Sequence, residues 1–336
     1  MSSVLDQVLS ASKPDDLFGG KDADGAKAIY RRLLKQVHPD KFEDRHRARA
    51  TEASANLTRL YTELVNPTVK PFVITTKRGT HEVGTLLAKG DVANVYRATS
   101  EGKPSVVKIA RSPKNADLIA REVTALKKIK DEVHPELTAF YPQVLDTFKH
   151  RDAQTRIDRR GVVTDQHVHG FVPLHEVRAK FPAGLDPRDA AWMFRRILIA
   201  LSGLHRIGIV HGGIVPPHLL MELDKHGLVL VDYTASCIEE DAVVPFLAKG
   251  WDWVYPNEVS AKVTPTPETD IYMAAKVLEY MMGDQAPRQM RAFVKGCTIG
   301  TQKSRPGDAL SLLEEFTELI ERLYGPRKFR VFRLPD

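Results

Sequence analysis

Gly203-Leu204-His205-Arg206-Ile207-Gly208-Ile209-Val210-His211-Gly212-Gly213-Ile214-Val215-Pro216-Pro217-His218-Leu219-Leu220, with Leu230-Val231-Asp232-Tyr233-Thr234 a little further on, is the stretch whose reading decides the fold. A periodic apolar pattern over residues 187–204 predicts a helix running into it, and residues 269–282 and 306–323 read as helices beyond it. The region before it has a different texture. Residues 81–88 and 92–98 read as strands around a turn at Lys89-Gly90-Asp91, and residues 105–110 and 161–164 as further strands. Residues 116–130 between them read as a helix. A sheet-rich part is therefore followed by a helical part.

Composition bounds the rest. At 336 residues, 43% apolar and 27% charged, the chain has ordinary globular usage, which excludes wholesale disorder. Cys237 and Cys297 form no C-x-x-C, which excludes a disulfide scaffold and a cysteine zinc site and suits a reducing cytosol. No apolar run approaches the ~18 residues of a membrane span, and the first residues lack the basic and apolar regions of a secretory signal. The expected location is cytoplasmic, without membrane contact. A net charge of +6 permits nucleic-acid contact without demanding it. Arg151, Arg156, Arg159 and Arg160 cluster, but no aromatic residues interleave to stack bases, so an exposed hairpin is the better account.

At the N-terminus, Ala26, Ile29, Tyr30, Leu33, Leu34 and Val37 trace one apolar helix face, with Asp24 or Asp22 as the expected N-cap. Lys27, Arg31, Arg32 and Lys35 form a basic stripe on the other side. A second run holds Ala50, Ala53, Leu57, Leu60, Tyr61 and Leu64, and His38-Pro39-Asp40 lies in the polar loop between the two. This predicts an antiparallel helical hairpin. Residues 15–64 resemble the J domain of DnaJ-type co-chaperones. The resemblance implies that His38, Pro39 and Asp40 trigger ATP hydrolysis in a DnaK-type chaperone, and that Lys27, Arg31, Arg32 and Lys35 dock on it. No Gly/Phe-rich tract or cysteine-rich repeat follows, a departure from full-length DnaJ.

Residues 81–325 resemble the protein-kinase fold. The segment 87–96 falls where a glycine-rich loop would, keeping Gly90 with Ala88 and Ala93 in place of its other glycines. Ser105-Val106-Val107-Lys108 matches the strand that carries the phosphate-binding lysine, and Glu122 the helix carboxylate that would pair with it. Thr164-Asp165-Gln166 takes the hinge position, and Asp232-Tyr233-Thr234 that of D-F-G. Tyr255-Pro256-Asn257-Glu258 resembles A-P-E, with Arg305 as the expected partner of Glu258.

The pattern breaks at its chemical centre. Where the family reads H-R-D-L-x-x-x-N, this chain has Gly213 for the aspartate and His218 for the asparagine, and Val215 replaces the usual lysine between them. Glycine cannot accept a hydroxyl proton, a loss worth about 10²–10⁴ in rate. Histidine is a poor Mg²⁺ ligand, and valine removes a positive charge.

The fold class expected is therefore multi-domain, α and α+β. A J-domain hairpin (residues 1–65) and a linker (66–80) precede a kinase-like sheet-rich N-lobe (81–165), a helical C-lobe (166–327) and a tail (328–336). No residue is assigned as catalytic. Gly90, Lys108, Glu122, Asp165 and Asp232 are the candidate nucleotide site for ATP with Mg²⁺, and Asp232 is the candidate metal ligand. The expected function is that of a pseudokinase adaptor co-chaperone, partnered by a DnaK-type chaperone and a client of unknown identity. An atypical protein kinase or nucleotide-transferring enzyme, and an interaction scaffold that binds no nucleotide, are the alternatives.

Overall fold

The computed structural model describes residues 4–19, 23–42, 44–65, 71–151, 156–165, 170–239 and 241–335. The chain divides into two compact units. One comprises residues up to Phe72 together with Gly84–Leu87, and the other holds the remainder.

The N-terminal unit contains helices α1 (Val4–Ser10), α2 (Asp15–Phe18), α3 (Ala23–Val37) and α4 (Asp44–Val65). Its core is made by Leu5, Val8, Phe18, Ala26, Leu33, Val37, Ala53, Leu57 and Leu60, in keeping with the periodic faces. Ser54 Oγ donates to the Val37 carbonyl at 2.9 Å, while Tyr30 stacks on Tyr61 at 4.2 Å. Pairing 37 with 54 and 30 with 61 makes α3 and α4 antiparallel. Asn56 Nδ2 donates to the carbonyls of Val8 (2.8 Å) and Ala11 (3.0 Å), tying α1 to α4. Of the two expected N-caps, Asp24 is the second residue of α3 and does not cap it, while Asp22 lies outside the described residues.

Apart from Phe72 and Gly84–Leu87, the second unit holds a six-stranded sheet in the order β1-β2-β3-β4-β6-β5. Its strands are β1 (Phe72–Thr75), β2 (Thr80–Lys89), β3 (Ala93–Ser100), β4 (Lys103–Ala110), β5 (Val144–Arg151) and β6 (Asp158–Asp165). Helix α5 (Ala116–Glu132) packs against it through Ile119. Residues 71–80 are thus not all linker: Phe72–Thr75 is a strand, and Thr76 Oγ1 reaches into a buried polar network by donating to Asp146. In that network His81 joins Ser100 (2.7 Å) and Asp146 (3.1 Å). Residues 66–70 of the expected linker lie outside the described residues.

The helical part holds α6 (Leu174–Ala179), α7 (Pro187–Arg206), α8 (Asn257–Ser260), α9 (Pro267–Met282), α10 (Arg288–Cys297) and α11 (Ala309–Tyr324). A small sheet joins β7 (Phe171–Pro173), β8 (Leu219–Glu222) and β9 (Gly227–Leu230) in that order. Helix α11 starts later than residue 306 because Asp308 caps it, accepting from Ser311 N–H at 2.6 Å. The core surrounds α7 and α9, whose Phe194, Leu198, Leu201, Ile271, Val277 and Leu278 are fully buried. The tail packs on the helical part, with Phe332 buried against Phe181 and Trp192. Cys237 and Cys297 are buried and unpaired. Among the described residues no helix is long and apolar enough to cross a membrane.

Candidate functional site

Lys108 sits in the middle of the larger sheet, opposite Val95 on β3 and Val162 on β6. This register fixes its Cα on both sides. Its Nζ donates to both Glu122 oxygens, at 2.8 and 2.9 Å, and stands 3.4 Å from Asp232 Oδ2. Burial opposes the charge on Lys108, but Asp232 and Glu122 outweigh it and hold the ammonium protonated. Asp232 follows β9 in the left-handed backbone region, with φ 68°. Burial would raise its carboxyl, yet Lys108, His218 and hydrogen bonds from Thr234 hold it well below the usual range.

The loop between α7 and β8 carries the departures. His218 Nδ1 donates to the Gly213 carbonyl at 2.8 Å, and Nε2 lies 3.6 Å from Asp232 Oδ2. Gly212 adopts φ 66°, and a Cβ there would lie 2.8 Å from the Ala235 carbonyl, so only glycine fits. Gly213 differs: a Cβ would meet His211 and His218 Nδ1 at 3.5 Å, ordinary contact. Buried Asp270 on α9 holds this loop, accepting from His211 N–H (2.7 Å), Gly212 N–H (2.9 Å) and His205 Nε2 (3.1 Å).

The His211 ring stands edge-on to Tyr233 at 4.7 Å, and burial pushes it down to about 4 from 6.5. Its folded value is depressed, so the unfolded chain takes up this proton first as pH falls. Stability should therefore decline between about pH 6.5 and 4, by about 3 kcal/mol in all, with no penalty near neutrality. Urea midpoints measured across that window should show a flatter acid limb in His211→Gln.

Other expected site residues are placed less simply. Gly90 lies in the β2–β3 turn, but its N–H donates to the Ala93 carbonyl at 2.9 Å and is not offered to a phosphate. Asp165, expected at the hinge, is the last residue of β6, its carboxylate accepting from Gln143 N–H at 2.7 Å. Gln166 lies outside the described residues. Thr234 and Ser236 are buried, their hydroxyls donating to Asp232 and to the Tyr233 carbonyl (2.7 Å), so neither presents a modification site. Lys27, Arg31, Arg32, Lys35 and His38 are exposed, and Pro39 is half-buried in a short 3₁₀ turn. The Asp40 side chain lies outside the described residues.

Two arrangements had no counterpart in the sequence. Lys249 N–H donates to Asp91 Oδ2 at 2.8 Å, and Phe246 packs against both the small-lobe cluster around Val92 and the large-lobe core. The segment after Asp232 is thereby fastened to the Gly90 turn. Arg121 strengthens the same segment, donating to the Ser236 carbonyl at 2.9 Å.

The donor set fits one Mg²⁺ delivered with ATP. Asp232 gives one carboxylate, and Mg²⁺ commonly takes one or two plus substrate phosphates. The nitrogen of His218 is no substitute for a second oxygen, and no group of three metal-ligating side chains occurs among the described residues.

No family model matches the chain. It is similar to serine/threonine-protein kinase PknG of Mycobacterium leprae, 24% identical over 257 residues, covering 76% of this chain and 31% of PknG. It is also similar to the carbon catabolite-derepressing protein kinase of Secale cereale, 24% identical over 215 residues, covering 61% of this chain and 40% of that protein. The chain thus spans well under half the length of these relatives. Among solved structures, the BubR1 kinase domain superposes with a TM-score of 0.58 at 14% identity, covering 77% of this chain and 85% of that one. The fold is therefore protein-kinase-like, with a sheet-rich and a helical lobe.

Proposed function

We propose that the kinase-like unit binds ATP and answers to it without efficient transfer of phosphate to a hydroxyl. One observation carries this: the Lys108–Glu122–Asp232 cluster is assembled, while Gly213 contributes no proton acceptor beside it. Kinase relatives support a kinase-like protein and fit an atypical kinase better than an adaptor co-chaperone. Thermal unfolding with ATP and Mg²⁺ is the test, since ligand at about a hundred times its Kd stabilises by about 2.7 kcal/mol. A wild-type shift lost in Lys108→Ala is expected, and its absence would leave a binding scaffold. Transfer of label from ATP, abolished by both Lys108→Ala and Asp232→Ala, would instead establish an atypical kinase.

The helical unit favours a second role, recruitment of a DnaK-type chaperone. Support comes from His38-Pro39-Asp40 on the turn between two antiparallel helices and from four exposed cations on α3. A basic face steers toward an acidic patch on a partner. Stimulation of a DnaK-type ATPase should fall to background in His38→Gln, read as phosphate release per minute. Equal stimulation by wild type and variant would remove this role.

A further inference from the structure

A cavity of about 400 Å³ lies between α7, α11 and residues 325–330, on the helical lobe and separate from the lysine cluster. That volume suits a small ligand. Its wall is basic: Arg188, Arg195, Arg327, Lys328 and Arg330 line it, against one lining acid, Glu321. Two of the five cations are already neutralised. Arg188 pairs with Asp186 at 2.6 Å, and Arg330 with Asp186 and Asp189 at 3.4 and 3.3 Å.

Among the described residues the others form no ion pair within 4 Å. Half-buried Arg195 donates to the Thr317 hydroxyl, and its neighbour Arg196 to the His226 carbonyl at 2.6 Å. Burial pushes both guanidinium groups down, and nearby Arg327 pushes them further in the same direction. Like charges are thus held together with Glu321 as the one acid in the lining, acting on Arg195 against this trend, a costly arrangement unless an anion relieves it.

Neutral groups agree with the charges. Trp192 and His226 also line the cavity, stacked at 4.0 Å and 7% and 5% exposed. The Trp192 indole N–H is buried without a hydrogen-bond partner. Indole is a donor only, so it calls for an acceptor. Phe329 stacks on the outer face of His226 at 4.5 Å, making the tail one wall of the cavity.

We propose that this cavity is a binding site for a small phosphate-bearing anion. Guanidinium forks suit phosphate oxygens, and several convergent cations favour a multiply charged group over a single carboxylate.

Inorganic pyrophosphate, titrated into the full chain at constant ionic strength, is the probe. Thermal unfolding should rise saturably, by on the order of 5 °C at about a hundred times Kd. The rise should vanish in Arg327→Gln and persist in Arg160→Gln, an exposed arginine on β6. Because Arg327 is exposed and repels its neighbours, Arg327→Gln without ligand should melt no lower than wild type. Hydrogen exchange should slow at residues 325–330 on addition of pyrophosphate. The proposal fails if no saturable shift occurs, if the shift survives Arg327→Gln, if acetate at equal ionic strength reproduces it, or if exchange slows at residues 88–93 instead. None of these readouts depends on ATP binding at Lys108.

Discussion

Glu258→Ala should lower the stability of the kinase-like unit by about 3–5 kcal/mol, a large part of the 5–15 kcal/mol that holds an ordinary domain together. The Arg305 side chain is completely enclosed and pairs with Glu258 through both terminal nitrogens, the second at 3.1 Å. Arg305 also donates to the carbonyls of Ile299 (2.6 Å) and Gly300 (2.9 Å), and lies over the Tyr272 ring at 4.6 Å. Removing the carboxylate leaves a guanidinium fixed by two carbonyls and a ring, with no counter-charge and no route to water. The cost comes from stranding the partner rather than from the pair's net worth. Two controls separate these. Glu258→Gln should cost less, since an amide oxygen still accepts. Glu258→Ala combined with Arg305→Met should recover part of the loss. Urea unfolding gives all three, and a double variant no more stable than Glu258→Ala would refute the stranded-charge account.

The largest expected change in activity comes from adding a group. Gly213→Asp should raise transfer of label from ATP by about 10²–10⁴ over wild type, the usual worth of a positioned general base. The backbone accepts the change, because Gly213 is not among the residues at positive φ and its new Cβ meets its neighbours at 3.5–3.6 Å. His218 Nδ1 is one of those neighbours and would be drawn toward the new carboxylate. Adding His218→Asn returns an oxygen ligand to the same loop, so the double variant should exceed the single. The experiment presupposes ATP binding, which the thermal shift establishes separately. If nucleotide binds and Gly213→Asp transfers no more label than wild type, the missing proton acceptor is not what limits the chemistry.

Glu258, Arg305 and Gly213 all lie in ordered motifs of the sequence. Lys108, Glu122, Asp232, Glu258 and Arg305 could be assigned in sequence because each occupies a fixed place in a long ordered series. The helices α3 and α4 were legible for a simpler reason: their apolar positions repeat at the helical period over several turns.

What escaped the sequence shares a different cause. Strand β1 is four residues long and half-covered, too short for alternation to register, and β7 has three. The Asp165 carboxylate accepts from Gln143 N–H, a contact between the ends of β5 and β6 that no local pattern encodes. Gly90 keeps the expected residue but spends its N–H closing its own turn. The basic cavity joins Arg195 to Arg327 across more than a hundred positions of chain, so neither residue marks the other. Asp24 illustrates a boundary error of one or two residues, since a capping residue and one just inside the helix look the same in sequence.

The Asp91–Lys249 bond and the Phe246 ring have a thermodynamic consequence for whatever enters beneath Gly90. They make the hairpin tip and the stretch beyond Asp232 partners in one equilibrium, so loosening either frees both. A guest that requires the tip to lift must spend part of its affinity on unfastening, roughly 1 kcal/mol for the hydrogen bond alone. Any protein that pulls the Phe246 stretch aside would return that amount to the guest, and by linkage the guest would favour that protein equally.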